Sequence, residues 1–423
     1  MVEEAARMPP GRLEGSPRSP LARAIAGRPG LWAAFVVVHV GLVLIGLHAP
    51  GAVFNDVTVV YTAWMQRAAD GAGIVGIDVA WVYPGLALVP MAAAFALGAE
   101  WMPALWFAIV IALDGLAFAI LLGWRGPSRT RGLAAWWWLA FLALLGPVAL
   151  GRIDAITAPI AIVALLWAAG RPRVSAALLA AAMWIKVWPA ALGFALVTAS
   201  RRRVEVVLVA LVVSATVLAG SVLAGGTWAV FGFLGEQGAR GLQVESPAAV
   251  PWLWAIVAGS REVRVAFDTR IVTWQVHGPG VDAVASALTP LMAVLLVAVL
   301  AVGVVAVRRG AAFGALMPPL SLALVSVLLV ANKVGSPQFV TWLAAPIVLG
   351  LCIRTARFAP PALLVAAIAG FTQVLYPYLY DRLLVADPAF VLVLTTKALL
   401  ELAVLAWSVH AVWKSGARRR EVA

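Results

Sequence analysis

The 423-residue sequence predicts an all-α polytopic membrane protein, and three observations carry that prediction. Hydrophobic residues make up 63% of the chain and charged residues 12%, where soluble domains hold about 45–50% and about 25%. Apolar runs near the roughly 20 residues a helix needs to cross the hydrocarbon core recur throughout, separated by short basic clusters. The 19 Trp and 5 Tyr suit the membrane–water interfaces, where amphipathic rings settle.

The net charge of +12 raises nucleic acid as a partner, but its placement argues against a nucleic-acid groove. Most of the basic residues fall in patches at Arg7 to Arg28, Arg125 to Arg131, Arg171 and Arg173, Arg201 to Arg203, Arg308 and Arg309, Arg354 and Arg357, and Lys414 to Arg420. Patches of this kind between apolar runs anchor the cytoplasmic side of a membrane protein. The single cysteine, Cys352, lies in an apolar run, reads as packing and excludes an internal disulfide. The run beginning at Leu31 has no convincing cleavage site after it and is expected to be a retained helix.

With every basic cluster inside, the expected crossings are 31–48, 103–122, 133–150, 155–169, 174–186, 188–200, 204–224, 289–307, 311–330, 339–353, 360–377 and 388–413. That makes twelve, with both termini cytoplasmic. A basic tail, 1–30, precedes a single transmembrane domain, 31–413, and a second basic tail, 414–423, follows it. The extracytoplasmic loops are 49–102 and 225–288, the second holding a short interfacial apolar piece, Val250 to Ala258, and a hairpin over Val263 to Val276. Leu86 to Leu97 reads as juxtamembrane or re-entrant, because counting it as a crossing would put Arg125, Arg129 and Arg131 outside. Trp136, Trp137 and Trp138 read as one helix end. The stretch between Arg173 and Arg201 must go out and return in too few residues for two full crossings, so it reads as two short helices meeting at Lys186-Val187-Trp188-Pro189.

This topology, fixed without reference to function, gathers Asp56, Asp70, Asp78, Arg152, Asp154, Lys186, Arg240, Glu245, Lys333, Gln338, Asp381 and Arg382 on the extracytoplasmic side. Gly151-Arg152-Ile153-Asp154 admits two readings: a tight turn with a local Arg–Asp pair, or a guanidinium presented to phosphate. Lys186 either snorkels to the interface or faces a cavity at the apex of the broken helix. Arg240 to Pro247 and Asn332 to Gln338 are mixed polar segments for which plain loops are the alternative. His39, His48, His277 and His410 are isolated and supply no metal triad. Lys397 and Glu401, spaced i, i+4, are expected to pair on one helix and, like Asp114, receive no chemistry. No nucleotide-binding loop or Ser-His-Asp pattern is present, which favours a donor already activated and delivered within the membrane.

Asp56 after the first helix, Tyr83-Pro84, Arg152-x-Asp154, Ile185-Lys186-x2-Pro189, Arg240-Gly241-Leu242-Gln243-x-Glu245-Ser246 and Lys333-Val334-x-Ser336-Pro337-Gln338 follow one another in order. In this the chain resembles glycosyltransferase family 87, the actinobacterial polyprenol-phosphate-mannose-dependent α-mannosyltransferases of GT-C type. The chain has Tyr83-Pro84-Gly85 where many relatives carry Tyr-Pro-Pro. The resemblance implies a GT-C fold in the plasma membrane with an extracytoplasmic active site. It further implies transfer, with inversion, of a hexosyl unit, mannosyl above all, from a polyprenyl-phosphate donor to a glycolipid, lipoglycan or protein acceptor.

Inversion needs a base opposite the leaving group, and Asp56 is the catalytic candidate. Arg152, Lys186 and Lys333 are candidates to stabilise the leaving phosphate. Tyr83, Trp64 and Trp81 are candidates to stack on the sugar or line the lipid groove, with simple interfacial anchoring as the alternative, and Asp154, Gln338, Arg240 and Glu245 complete the expected substrate-binding set. No cofactor is implied, since the lipid-linked sugar is a substrate. A secondary transporter or lipid-linked sugar flippase is the competing class, because it too would use broken helices and intramembrane charges.

Overall fold

In hydrocarbon a backbone must close its hydrogen bonds within its own segment, so the Ala-, Leu- and Val-rich runs form helices. The computed structural model describes residues 27–416 apart from 49, 125, 239 and 270, so most of the two expected tails and Arg125 lie outside the described residues. In chain order, α1 (Arg28–His48) leads into a π-helical turn (Asp56–Tyr61) and α2 (Thr62–Ala69). Then come α3 (Leu88–Phe95), α4 (Met102–Leu122), α5 (Arg129–Leu145), α6 (Asp154–Trp167), α7 (Pro172–Ile185), α8 (Pro189–Ala199) and α9 (Arg203–Leu223). After α10 (Gly232–Gly238) and α11 (Val250–Val257) follow β1 (Arg264–Asp268) and β2 (Thr273–His277). The remaining helices are α12 (Val281–Arg308), α13 (Phe313–Val330), α14 (Ala344–Gln373), α15 (Tyr380–Leu384) and α16 (Pro388–Ser415).

Among the described residues, seven helical stretches are long and apolar enough to cross a membrane: α1, α4, α9, α12, α13, α16 and the stretch Pro337–Tyr378 that contains α14. The protein is helical and membrane-embedded. Val204, Leu208 and Leu211 on α9, and Val294 and Val297 on α12, are exposed, as lipid-facing side chains are. At the centre, α13 buries 72% of its apolar window and α6 is buried along most of its length.

The expected runs 155–169, 174–186 and 188–200 are helices of 14, 14 and 11 residues. At 1.5 Å per residue they reach roughly 16–21 Å, short of a hydrocarbon core of about 30 Å. They are covered by neighbouring helices, the setting in which partial spans are tolerated. The two short helices on either side of Lys186 appear where the sequence put them, with Pro189 opening α8. Runs 339–353 and 360–377 fall in one helical stretch, interrupted by non-helical backbone at Arg354 (φ −143°, ψ 54°). Leu86 to Leu97 lies in a 3-10 turn (Gly85–Ala87) that runs into the 8-residue α3, together too short to span.

Three smaller expectations are refined. The tryptophan triplet lies within α5 rather than at its end, with Trp138 buried and Trp137 Nε1 donating to the Ala362 carbonyl at 3.0 Å. The piece Val250 to Ala258 is packed as well as apolar: Trp254 Nε1 donates to Thr395 Oγ1 of α16 at 2.9 Å. His39 is not isolated, because its Nε2 meets Asp114 Oδ2 of α4 at 3.0 Å in the buried interior. The hairpin is present as β1 and β2, paired antiparallel from Arg264 with His277 to Asp268 with Thr273.

Candidate functional site

The Asp56 carboxylate hangs from the π-helical turn that follows α1, and Arg152 comes from the loop before α6. A glycine decides whether these two loops can meet. A Cβ on Gly151 would stand 2.5 Å from the Phe54 ring, so the absent side chain lets the Arg152 loop close on the turn that carries Asp56. Arg152 Nη1 then forms an ion pair with Asp56 Oδ1, and Nη2 donates to the Tyr376 hydroxyl at 2.9 Å. Arg152 Nε is buried and has no hydrogen-bond partner. Tyr61, one turn beyond Asp56, ties the pieces together: its hydroxyl approaches Asp56 Oδ2 at 3.4 Å and accepts from the Ile153 N–H at 3.1 Å.

Asp154, two residues on from Arg152, belongs to a second pair. It is fully buried at the start of α6, where Oδ2 meets Lys186 Nζ at 3.3 Å and Oδ1 accepts from Trp342 Nε1 at 2.6 Å. The local Arg152–Asp154 pair considered from the sequence is thus replaced by two crossed pairs, Arg152 with Asp56 and Asp154 with Lys186. Lys186 sits at the break between α7 and α8, its ammonium 4.9 Å from the Tyr83 ring and 5.3 Å from the Phe339 ring. It does not snorkel; its side chain is 13% exposed.

Aromatic rings wall both pairs. Trp64, Trp81 and Tyr83 form a cluster with Tyr61, the Trp81–Tyr83 and Trp64–Trp81 centroids each 5.3 Å apart. On the other side Trp188 stacks on Trp342 at 5.7 Å, and its Nε1 donates to Thr157 Oγ1 at 3.0 Å. Trp81 Nε1 is buried without a hydrogen-bond partner. Burial pushes the Tyr83 hydroxyl up to about 12, so it stays a neutral donor.

The two mixed polar loops are joined to each other. Gly335 lies against Glu245 and Ser246 so closely that a Cβ on it would stand 2.2 Å from the Glu245 carbonyl carbon. Ser246 Oγ donates to the Asn332 carbonyl at 2.7 Å, and the Gln243 N–H donates to the Lys333 carbonyl at 2.9 Å. Gln243 also bridges to Gln275 of β2, so this loop extends the hairpin. Glu245 is buried, hydrogen-bonded by Tyr380 and near Lys397, and its Oε2 is left without a hydrogen-bond partner. Burial pushes its carboxyl up to about 7. The Gln338 side-chain oxygen is likewise buried and without a partner. Lys397 and Glu401 pair at 3.1 Å as their spacing predicts, but they do so beside Glu245 around a small cavity, which the sequence did not suggest.

Of the expected residues, Asp56, Arg152, Asp154, Lys186, Tyr83 and Trp64 form one connected centre. Arg240 acts electrostatically on Lys186 and Tyr83, and Arg152 on Glu245, so the second loop borders that centre. Asp70, Asp78, Asp381 and Arg382 stay in local or exposed contacts: Asp70 accepts from Gln66 at 2.8 Å and Asp78 from the Ile74 N–H at 2.6 Å, and Arg382 meets Asp387 at 3.8 Å. Trp188, Trp342, Tyr376 and Tyr380 were not singled out from the sequence. Their one available signal was position: Trp188 precedes the proline that opens α8, and Tyr376 precedes another proline, as Tyr83 does.

Comparison with protein-family models, with curated proteins and with solved structures finds no match.

Proposed function

We propose that the protein is an inverting, membrane-embedded glycosyltransferase of the GT-C type, similar to glycosyltransferase family 87. In this reading it moves a hexosyl unit, mannosyl above all, from a polyprenyl-phosphate donor to a cell-envelope glycolipid, lipoglycan or protein acceptor on the extracytoplasmic face. The observation that carries the reading is the joining of Asp56 to Arg152 beside the Asp154–Lys186 pair, within a wall of aromatic rings. One carboxylate, two cations and stacking surfaces are what transfer from a lipid phosphate to a hydroxyl requires.

In the proposed reaction the acceptor oxygen bonds to the anomeric carbon as the bond from that carbon to the phosphate oxygen breaks. The acceptor proton passes to Asp56, and the polyprenyl phosphate leaves with the electron pair. Oδ1 of Asp56 is held by Arg152, which fixes the plane of the carboxylate; Oδ2, with the long 3.4 Å contact to Tyr61, is the oxygen that takes the proton. Arg152 has a further buried N–H, at Nε, to offer a phosphate oxygen. A buried donor without a partner costs about 1–3 kcal/mol, which a bound anion would recover. Lys186 supplies a second positive charge from the apex of the helix break.

The test is transfer from polyprenyl-phosphate mannose to an extracted envelope acceptor by purified wild-type and Asp56→Asn proteins, with nucleotide sugars as control donors. Transfer from the lipid donor alone, lost in the variant, is the expected result. Transport of the intact lipid-linked sugar across vesicles without transfer would instead favour the flippase reading.

A further inference from the structure

At the membrane face that carries the basic clusters, opposite the centre built around Asp56, the helix ends line an open cavity of about 960 Å³. That is within the roughly 300–1,000 Å³ range of small-molecule pockets. Arg201, Arg202, Arg203, Arg354, Arg357 and Lys414 line it, and among the described residues no Asp or Glu does. Six cations drawn from three separate stretches of chain repel one another, so bringing them around one cavity carries an electrostatic cost that an anion would offset.

Three features distinguish this arrangement from basic residues that merely reach individual headgroups. The helical stretch bearing α14 is broken at Arg354, whose backbone leaves helical geometry there, and Arg354 and Arg357 both border the cavity. The first residues of α7, α9 and α13 (Pro172, Arg203 and Phe313) also border it, and none of these helices has a side-chain cap at its start. Their N-terminal N–H groups add a field of the same sign. Phe313, Phe358 and Trp407 supply an apolar wall next to the charges. Among the described residues, Glu205 on α9 takes Arg173 at 2.9 Å and Arg202 at 3.9 Å, both pairs solvent-exposed.

We propose that this cavity binds a phosphate-bearing anion, with the apolar wall and the membrane boundary fitting the headgroup of an anionic phospholipid. Arg354 and Arg357 grip the phosphate, Arg201 and Arg203 close over it, and the apolar wall receives the glycerol and first methylenes. Basic pockets between transmembrane helices recognise lipid headgroups in this way. The proposal is independent of the transfer reaction at the opposite face.

The experiment uses the full chain, purified and delipidated in detergent, and follows thermal unfolding against dioctanoyl-phosphatidylglycerol, dioctanoyl-phosphatidylcholine and inorganic phosphate. The wild-type protein should be stabilised by the anionic lipid and not by the zwitterionic one. Arg354→Gln combined with Arg357→Gln should weaken that response at least tenfold in lipid concentration. Should the pair fold poorly, Arg201→Gln with Arg203→Gln, both at exposed positions, should weaken it in the same direction. Arg129→Gln, basic and exposed but outside the cavity, should respond as wild type. A response to inorganic phosphate that the cavity variants also lose supports the site and assigns its source to the soluble anion. Equal responses to the two lipids, or a wild-type response in both cavity variants, would overturn the proposal.

Discussion

Arg152 reaches back to Asp56 across the space between two helices instead of pairing with Asp154 two residues away. Asp154 opens α6 and is directed into the protein towards Trp342 and Lys186, while Arg152 stays in the loop that Gly151 allows to approach Phe54. Each acid therefore has a different cation, and the two pairs differ in burial: the Asp56 side chain is 23% exposed and that of Asp154 1%. Of the two carboxylates, that of Asp56 is the accessible one.

Asp56→Asn keeps the shape of the side chain and removes its ability to accept a proton. Turnover of a polyprenyl-phosphate donor should fall by at least about 10²–10⁴-fold with donor binding retained, and Asp56→Glu should recover little because a methylene shift misplaces the base. Near wild-type transfer by the purified Asn variant would transfer the role to another group.

Asp154 and Lys186 should be energetically coupled as a buried ion pair, whatever charge Lys186 also presents to a phosphate. Asp154→Ala leaves the Lys186 ammonium uncompensated and Lys186→Met leaves the carboxylate so; each should lower stability by about 3–5 kcal/mol. The double replacement by apolar residues should cost less than the sum of the two. Thermal unfolding of the three variants in detergent measures this, and simple additivity would show that the contact carries no coupling.

Gly335→Ala places a Cβ 2.2 Å from the Glu245 backbone, which cannot move aside as a flexible side chain can. It should destabilise the junction of the two loops by about 1–3 kcal/mol, seen as increased proteolysis between residues 240 and 247 and reduced donor binding. Unaltered protease resistance would mean that the loops separate at little cost.

Glu245 gives a pH dependence with a defined sign. Its carboxyl is raised by burial from an ordinary 4.5 to about 7, so between these values the folded protein holds a proton that the unfolded chain has released. Stability should therefore fall as pH rises from about 4.5 to about 7, at up to about 1.4 kcal/mol per pH unit, and level off above. Glu245→Gln should flatten that segment of the profile in thermal unfolding; an unchanged slope would assign it to other groups.

Topology can be read by labelling. With Cys352 replaced by Ser, cysteines at Gly71 and Gly225 should react with an impermeant thiol reagent on intact cells, and those at Ser128 and Gly310 should not; all four positions are exposed. External labelling at 128 would reverse the assignment made from the basic clusters.

The helical membrane class, the short broken helices around Lys186, the hairpin and the Lys397–Glu401 pair were legible in the sequence, because each depends on neighbours within a few residues. Run length against bilayer thickness and i, i+4 spacing are local quantities. The same arithmetic could not say that α6, α7 and α8 are covered by other helices, since an apolar residue reads alike whether it faces lipid or protein. Nor could it separate the runs 339–353 and 360–377 from one helical stretch broken at Arg354.

The sequence by itself led to the expectation that Asp56, Arg152, Asp154 and Lys186 share one side of the membrane; only the tertiary structure decided their partners. Asp56 with Arg152, Trp342 with Asp154, Gly335 against Glu245 and six cations around one cavity all join segments distant in the chain. Such contacts depend on how helices stack and where a missing Cβ lets two backbones close, and no periodicity in the sequence encodes either.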